Sequence, residues 1–377
     1  MSSDLIVVAD RRPWAPNATF QLMSRLLLDR RILWVDADAF RRDRLDCSAV
    51  QPPGSAGGQA CHAAPFPVLT AEDLGAGSHP LARLVSPRLL ARRVARAAQR
   101  HGLRRPLLWL ASPWASSLLD DDNDGPVIYQ AGCTPPPSQT APAREHAAQE
   151  ARILRRADLV LVPTRDAARD LDAARARLLP AGVDLELFST PAQPARDLPS
   201  AGPVAGCHGC FDERFDAGLL AAIAHRLPDW RFMLLGPVYC DLSALRGLTN
   251  VHVAGSRPQD QLPRYLQFFT ASLLLRRPDA PPGQAPALPL LETLATGLPT
   301  VVAGALNLGG FADLATRVTG ADAAADALRA AAVEPAERRA LRRLRVRGDG
   351  WGARAATVNR LLTELETAAM PAAAARF

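Results

Sequence analysis

Short apolar strands alternate with helical segments in two successive series, and this pattern constrains the fold of the 377-residue chain more than any other feature. In the first series, strands are predicted near residues 5–9, 32–35, 106–110, 127–129, 158–163 and 177–180. Helical segments are predicted between them at residues 19–30, 142–156 and 165–174. Such alternation predicts a parallel sheet covered by helices on both faces.

A stretch without periodicity, residues 189–203, is rich in Pro, Ser and Ala and predicts an interdomain linker. The second series then has strands near 203–207, 231–235, 250–254, 271–275 and 300–303, with helices near 216–226, 259–268 and 288–296. Helical segments at 322–345 and 352–367 follow. We predict Rossmann-like domains over residues 1–188 and 204–345, with a C-terminal helix in 346–377 that packs back on the first domain. Ligands are expected in a cleft between the two domains, at the carboxyl ends of the strands.

Composition excludes several classes of protein. Hydrophobic residues make up 48% and charged residues 22%, which is ordinary globular composition. No apolar run is long enough for a membrane span, and the first nine residues lack the positive region of a signal peptide. Six scattered cysteines do not suggest a disulfide framework. We therefore expect a cytoplasmic protein with reduced thiols.

The chain contains no lysine, so its net charge of +6 depends on arginine. A Schiff-base lysine and a phosphate-binding P-loop are thereby excluded, which leaves arginines and helix N-termini to bind phosphate. Aromatic residues are only 5% of the chain and do not interleave with the basic ones, so a nucleic-acid partner is not expected.

Five motifs follow one another along the chain: PAGVDLELF (180–188), DWRFMLLGP (229–237), NVHVAGSRPQDQLPRYL (250–266), LPLLETLATGLPTVVAG (288–304) and GWGAR (350–354). Together they extend from residue 180 to residue 354 and resemble family 4 glycosyltransferases, in a bacterial branch that makes cell-surface polysaccharide of the teichuronic-acid type. The resemblance implies an α/β GT-B fold, in which two doubly wound Rossmann-like domains face a cleft and the C-terminus is helical.

The resemblance also implies a donor site in the second domain, where Glu292 would bind the ribose hydroxyls of a nucleotide sugar. A carboxylate near a helix N-terminus can accept two hydroxyls while the helix end faces the diphosphate. The alternative is a glutamate favoured there only by the helix dipole. The remaining donor-binding candidates are Gly209, Arg214, Gly236, Pro237, Arg257 and Pro289.

Two positions depart from the family pattern. Gln284 replaces a second glutamate, and Gln130 stands where relatives carry an aspartate, so neither can act as a base near neutral pH. The basic pair that usually neutralises the donor diphosphate is also missing. Arg276 and Arg277 are candidates to replace it as catalytic residues, with Arg277 predicted as the principal contact; the alternative is a solvated arginine pair at a strand end.

On the acceptor side, the segment after the first strand places candidates over the predicted cleft. The acceptor-binding candidates are Asp10, Arg11, Trp14, Asn17 and Gln130. Asn17 also fits an N-cap of the helix predicted from residue 19.

Three other patterns have simpler explanations. Cys207 and Cys210 have C-x-x-C spacing but no second pair of ligands, so metal or redox work is not favoured. Asp120, Asp122 and Asp124 begin like a calcium loop that lacks its final glutamate. The arginine-rich segment 81–105 could lie on an anionic membrane, although an amphipathic helix packed on its own domain is the more common arrangement.

These observations predict a metal-independent glycosyltransferase without a cofactor, which transfers a sugar from a nucleotide-diphosphate donor to a saccharide or lipid-linked acceptor. The family resemblance implies retention of anomeric configuration. The alternative is a non-catalytic homologue that acts as a donor-binding or partner subunit in polysaccharide assembly, which the glutamines at 130 and 284 would suit.

Overall fold

The computed structural model describes residues 2–9, 18–40, 66–71, 73–74, 87–119, 125–132, 141–280 and 288–369. The chain forms two compact units. The first contains the described residues up to Pro180 together with those from Arg354 onwards, and the second runs from Ala181 to Ala353. Both contain one parallel sheet with strands in doubly wound order.

The first unit has a seven-stranded sheet in the order β3-β2-β1-β4-β5-β6-β7. Its strands are β1 (Leu5–Ala9), β2 (Ile32–Asp36), β3 (Val68–Leu69), β4 (Leu107–Leu110), β5 (Val127–Gln130), β6 (Leu159–Val162) and β7 (Ala176–Leu178). The helices are α1 (Ala18–Leu26), α2 (Pro87–Arg100) and α3 (Ala141–Arg156). The central strands are continuous apolar runs because helices cover both faces of a parallel sheet. The sequence does not predict β3, because this strand is only two residues long and both residues are half-buried.

The predicted helix at 165–174 is wrong: only a 3-10 turn, Asp166–Ala168, forms there. Side chains satisfy backbone amides locally, since Thr164 Oγ1 accepts from the Ala167 amide and Asp172 Oδ1 from the Ala174 amide. Such bonds compete with helical hydrogen bonding.

Residues 87–100 of the arginine-rich segment form α2, which packs on the hydrophobic core of the first unit. Leu90, Val94, Ala97 and Ala98 are buried in that core. Arginines such as Arg92 lie on the exposed side of the helix. The packed amphipathic helix expected from the sequence is therefore present.

The second unit has a six-stranded parallel sheet in the order β10-β9-β8-β11-β12-β13. Its strands are β8 (Val204–His208), β9 (Arg231–Leu235), β10 (Val251–Gly255), β11 (Ala271–Leu275), β12 (Thr300–Ala303) and β13 (Thr316–Val318). Its helices are α4 (Leu185–Ser189), α5 (Ala217–Arg226), α6 (Pro263–Leu266), α7 (Leu288–Thr296), α8 (Ala321–Ala332) and α9 (Ala336–Arg345). The last helix, α10 (Trp351–Ala369), belongs to the first unit from Arg354 onwards. The segment predicted as one helix at 322–345 is two helices, because Pro335 cannot donate a helical hydrogen bond.

Residues 189–203, which composition predicts as a linker, lie on the second unit. Gln267 Oε1 accepts the Ala192 amide at 3.0 Å, and the Arg264 carbonyl accepts the Ala195 amide at 3.0 Å. Asp197 accepts from Tyr265 Oη at 2.7 Å. These bonds attach the segment to α6 and its flanks, so it is ordered despite a composition without periodicity.

Within the first unit, the end of α10 contacts Arg30, whose side chain is fully buried. The Arg30 guanidinium pairs with Glu366 and donates to Asn359 Oδ1 at 3.0 Å and to the Ser3 carbonyl at 2.8 Å. Arg30 therefore joins the loop before β2 to the C-terminal helix.

Glu366→Ala should lower the free energy of unfolding by about 3 kcal/mol, because it leaves the buried Arg30 cation without its partner. Glu364→Ala is the matched control, since Glu364 and its partner Arg360 are both more than half exposed and such pairs contribute about 0.5 kcal/mol. Thermal and urea unfolding of the two variants would measure the difference. Equal losses would show that the Arg30 contact does not hold α10 in place.

Candidate functional site

The second sheet has its topological switch point between β8 and β11. These adjacent strands continue to opposite sides of the sheet, β8 towards β9 and β11 towards β12. In doubly wound sheets, ligands bind beyond the carboxyl ends of the strands at this point. His208 ends β8 there, and Arg276 directly follows β11.

The turns after β8 and β9 approach each other too closely for any side chain. The Gly209 amide donates to the Leu235 carbonyl at 3.0 Å, and the Gly236 amide to the Gly255 carbonyl at 2.9 Å. A Cβ on Gly236 would lie 1.7 Å from the Gly209 carbonyl oxygen, and a Cβ on Gly209 would lie 3.0 Å from Pro289 Cγ. The structure thus brings the predicted donor-site residues Gly209, Gly236 and Pro289 together.

Gly236→Ala should destabilise the second unit more than Gly247→Ala. Both glycines have positive φ, +149° and +80°, so both substitutions strain the backbone by about 1–3 kcal/mol. Only the first also drives a Cβ into backbone, because nothing lies within 4 Å of a Cβ on Gly247. Melting temperatures of the two variants test this, and a Gly236→Ala variant as stable as Gly247→Ala would show that the turns can separate without cost.

Pro237 belongs to the same edge of the sheet. Its carbonyl accepts the Phe211 amide at 3.0 Å, which pairs the segment after β8 with the segment after β9. This pairing continues the two strands past their ends and fixes the course of the backbone from Gly209 onwards.

Glu292 lies in the second turn of α7 and is buried, with 2% of its surface exposed. Its Oε2 is 3.1 Å from His208 Nε2, and its Oε1 accepts from Gln259 Nε2 at 3.2 Å. The carboxylate therefore lies among groups from the ends of β8 and β10. A glutamate that only favoured the helix dipole would not need to be buried or to have these partners.

His208 was not among the predicted site residues. The sequence does carry a weak signal for it, namely a histidine that ends an apolar strand at the start of the second Rossmann-like series. The more visible signal in the same segment is the C-x-x-C spacing of its neighbours, Cys207 and Cys210. Both thiols are free, and burial raises the pKa of Cys207 to about 12. Within the described ranges, no three His, Cys, Asp or Glu side chains form a group that could hold a metal ion.

Arg214, Asp212 and Arg276 form a charged cluster beside the glycine turns. Arg214 Nε donates to Asp212 Oδ2 at 2.8 Å. Burial opposes the ionisation of Asp212, but its hydrogen bonds with Arg214 lower its pKa below the ordinary value. This pair contains one charge of each sign.

Arg276 is the partly buried cation of this cluster. Burial first, and then the charge of Arg214, lower the pKa of its guanidinium. Among the described residues, the Arg276 guanidinium has no hydrogen bond and no ion pair of its own. It is therefore a positive charge at the switch point that an anion would stabilise.

Arg277 and Arg257 are engaged elsewhere. The Arg277 guanidinium is more than half exposed and makes two hydrogen bonds of 3.1 Å to Asp279. Arg257 donates to Tyr265 Oη at 2.9 Å and to Asp197 Oδ2 at 2.8 Å. Both residues follow the carboxyl end of a strand, but their guanidinium N–H groups donate to these neighbouring side chains. Binding of the donor diphosphate by Arg277 or Arg257 stays a prediction.

Most predicted acceptor residues, namely Asp10, Arg11, Trp14 and Asn17, lie outside the described residues, as does Gln284. Gln130 ends β5 in the first unit. Its Oε1 accepts from Thr19 Oγ1 at 2.9 Å and from Trp109 Nε1 at 3.1 Å. The amide oxygen therefore anchors the start of α1 to β4, and an acceptor contact by Gln130 stays a prediction. In the part of the chain that the structure describes, no helix is both long and apolar enough to cross a membrane.

Comparison with known proteins agrees with this geometry. A family profile described as "Glycosyl transferase-like" matches residues 214–376, which is less than half of the chain. A search of curated proteins finds no match.

Solved structures match over nearly the full length of both chains. Sucrose-phosphate synthase from Thermosynechococcus elongatus is 18% identical with a TM-score of 0.63, over 97% of this chain and 100% of that one. Anabaena Alr3699/HepE in complex with UDP and glucose is 16% identical with a TM-score of 0.64, over 97% and 99%. An α,α-trehalose-phosphate synthase (UDP-forming) from Burkholderia vietnamiensis is 14% identical with a TM-score of 0.63, over 98% and 99%. The chain has the GT-B fold predicted from its motifs.

Proposed function

We propose that this protein is a glycosyltransferase that moves a sugar from a nucleoside-diphosphate donor to a saccharide or lipid-linked acceptor. The observation that carries the proposal is the switch point of the second sheet, where buried Glu292, the Gly209–Gly236 turns and unpaired Arg276 occur together. The profile match and the UDP-bound structural relative support the same class of reaction.

In this proposal, the two ends of the nucleotide bind to different elements. Glu292 accepts hydrogen bonds from the ribose hydroxyls, and its charge makes them stronger than neutral ones. Arg276 and Arg214 bind the diphosphate. Base identity is not specified by these residues, so UDP and GDP are both suitable probes.

Transfer breaks the bond between the sugar C1 and the diphosphate oxygen and forms a bond from C1 to an acceptor hydroxyl oxygen, whose proton is released. Negative charge grows on the departing diphosphate, and a preformed cation such as Arg276 stabilises it. No metal or cofactor is required in this scheme. Retention of configuration and a place in bacterial polysaccharide biosynthesis follow from the family 4 resemblance.

A lipid-linked acceptor would bring the enzyme to the cytoplasmic face of a membrane. The exposed arginines of α2, including Arg88, Arg92 and Arg96, form a basic surface that an anionic bilayer would attract. We therefore place the protein in the cytoplasm with a peripheral membrane contact.

Thermal-shift measurements with UDP, GDP and their sugar conjugates, followed by turnover assays on the same panel, test the proposal. Ligands that bind only the folded state raise the melting temperature. We expect a shift with one nucleoside diphosphate and release of that nucleotide when its sugar conjugate meets an acceptor. If no nucleoside diphosphate at millimolar concentration changes the melting temperature, the proposal that these residues bind a nucleotide-sugar donor is wrong.

The second candidate is a non-catalytic donor-binding or partner subunit. It is favoured by Gln130, whose amide cannot act as a base and whose oxygen already accepts two hydrogen bonds. A nucleotide-dependent shift without turnover for any donor and acceptor in the panel would favour this candidate.

A further inference from the structure

The contact between His208 and Glu292 joins two parts of the second unit that are 84 residues apart in the chain. Their side chains are only 2% and 3% exposed, and His208 Nε2 lies 3.1 Å from Glu292 Oε2. His208 ends the central strand β8, which has strands hydrogen-bonded on both sides. One oxygen of the carboxylate is thus held by a rigid part of the sheet.

The other oxygen has a different neighbour. Glu292 Oε1 accepts from Gln259 Nε2 at 3.2 Å, and Gln259 is only partly buried, in the turn after β10. A carboxylate oxygen has two lone pairs, so Oε1 can accept a further hydrogen bond or exchange the amide for a hydroxyl. The two carboxylate oxygens therefore have different partners: Oε2 contacts His208 at the end of β8, and Oε1 contacts Gln259 in the turn after β10.

The contact with Glu292 determines which ring nitrogen of His208 carries the proton. A carboxylate only accepts, so the hydrogen bond requires the proton on Nε2. Nδ1 is buried and has no hydrogen-bond partner among the described residues. An unpartnered N–H at Nδ1 would be a buried donor left unsatisfied, so a proton on Nε2 rather than on Nδ1 fits the surroundings best.

We propose that His208 is a positioning residue for ribonucleotide recognition, a role that rests on the nucleotide site proposed above. By holding Oε2, it fixes the Glu292 side chain in the rotamer that presents Oε1 to the ribose diol. A preoriented acceptor loses less conformational freedom on binding and discriminates better against a ligand that lacks the hydroxyl. His208 thereby makes the site select ribonucleoside over deoxyribonucleoside diphosphates without touching the ligand.

The test is a comparison of UDP with 2′-deoxy-UDP and 3′-deoxy-UDP by calorimetry on four forms of the full chain, with GDP and its deoxy analogues in their place if GDP is the nucleotide that raises the melting temperature. These are the wild type, His208→Phe, His208→Gln and Glu292→Gln. Phenylalanine keeps a ring of similar size but cannot donate, whereas glutamine places an amide nitrogen where Nε2 lies. We expect the preference for UDP over its weaker deoxy analogue to fall by about fivefold or more in His208→Phe and to be retained in His208→Gln.

Equal weakening of UDP and both analogues in His208→Phe would overturn the positioning role, since a structural role alone affects all three ligands alike. If the wild type prefers UDP and Glu292→Gln loses that preference while His208→Phe keeps it, only the His208 inference fails. A wild type without any preference would overturn the ribose role of Glu292 and this inference with it. If His208→Phe does not fold, His208→Asn replaces it, because its shorter amide keeps polarity but cannot reach Glu292.

Discussion

Arg276→Ala should lower the turnover number of sugar transfer by about 100- to 1,000-fold, the range seen when one preformed donor to a developing anion is removed. Binding of uridine should be unchanged, whereas UDP should bind less well. In the proposed site, Arg276 binds the diphosphate, whose negative charge grows in the transition state, and an interaction that strengthens there acts mainly on turnover.

The structure favours Arg276 over its neighbour for this role. Its guanidinium is partly buried beside Arg214, so burial first, and then the like charge of Arg214, lower its pKa against the attraction of Asp212. Asp212 is already paired with Arg214, and Arg276 forms no ion pair of its own among the described side chains. A diphosphate would supply the missing negative charge. Arg277 already has such a partner in Asp279 and is exposed.

Arg277→Ala is therefore the matched control: the same residue type, one position along the chain. Turnover and the affinities for uridine and UDP should be measured on the wild type and both variants. We expect Arg277→Ala to retain at least half of the wild-type turnover, because the Arg277 guanidinium is exposed and already paired with Asp279. A large loss in Arg277→Ala with none in Arg276→Ala would restore the assignment predicted from spacing alone.

Glu292→Gln should weaken UDP binding by about tenfold or more, because hydrogen bonds to a charged acceptor contribute about 1.5–3 kcal/mol. The loss should be larger for UDP than for either deoxy analogue. Glutamine is a better probe than alanine here. Alanine would leave His208 Nε2 and Gln259 Nε2 without their acceptor in a buried site, so lost folding and lost binding would be confused.

Glu337→Gln is a suitable control, since it removes the same charge from an exposed position in the first turn of α9, in the same unit. Calorimetry and melting curves on both variants separate binding from stability. UDP affinity that is unchanged in a folded Glu292→Gln protein would return Glu292 to a purely structural role within the second core.

The sequence alone was sufficient for most of the fold. The strands at 231–235, 271–275 and 300–303 and the helix at 288–296 were predicted with the bounds that the structure shows. These segments are buried on both faces, so their apolar runs are continuous and end abruptly at Gly, Pro or charged residues. The motif around Glu292 likewise places that residue in the early turns of a helix, because the periodicity of a buried helix is local information.

Tertiary structure decided what no local pattern contains. The sequence shows two adjacent arginines, but successive side chains at the end of a strand point to opposite sides, so Arg276 lies beside Arg214 while Arg277 reaches solvent. His208 acquires its role only when strand order brings the end of β8 against α7. The segment at 189–203 is ordered by side chains some 70 residues later in the chain, such as Gln267 and Tyr265. Periodicity tells which face of an element is buried; which polar group it meets there depends on contacts between residues far apart in the chain.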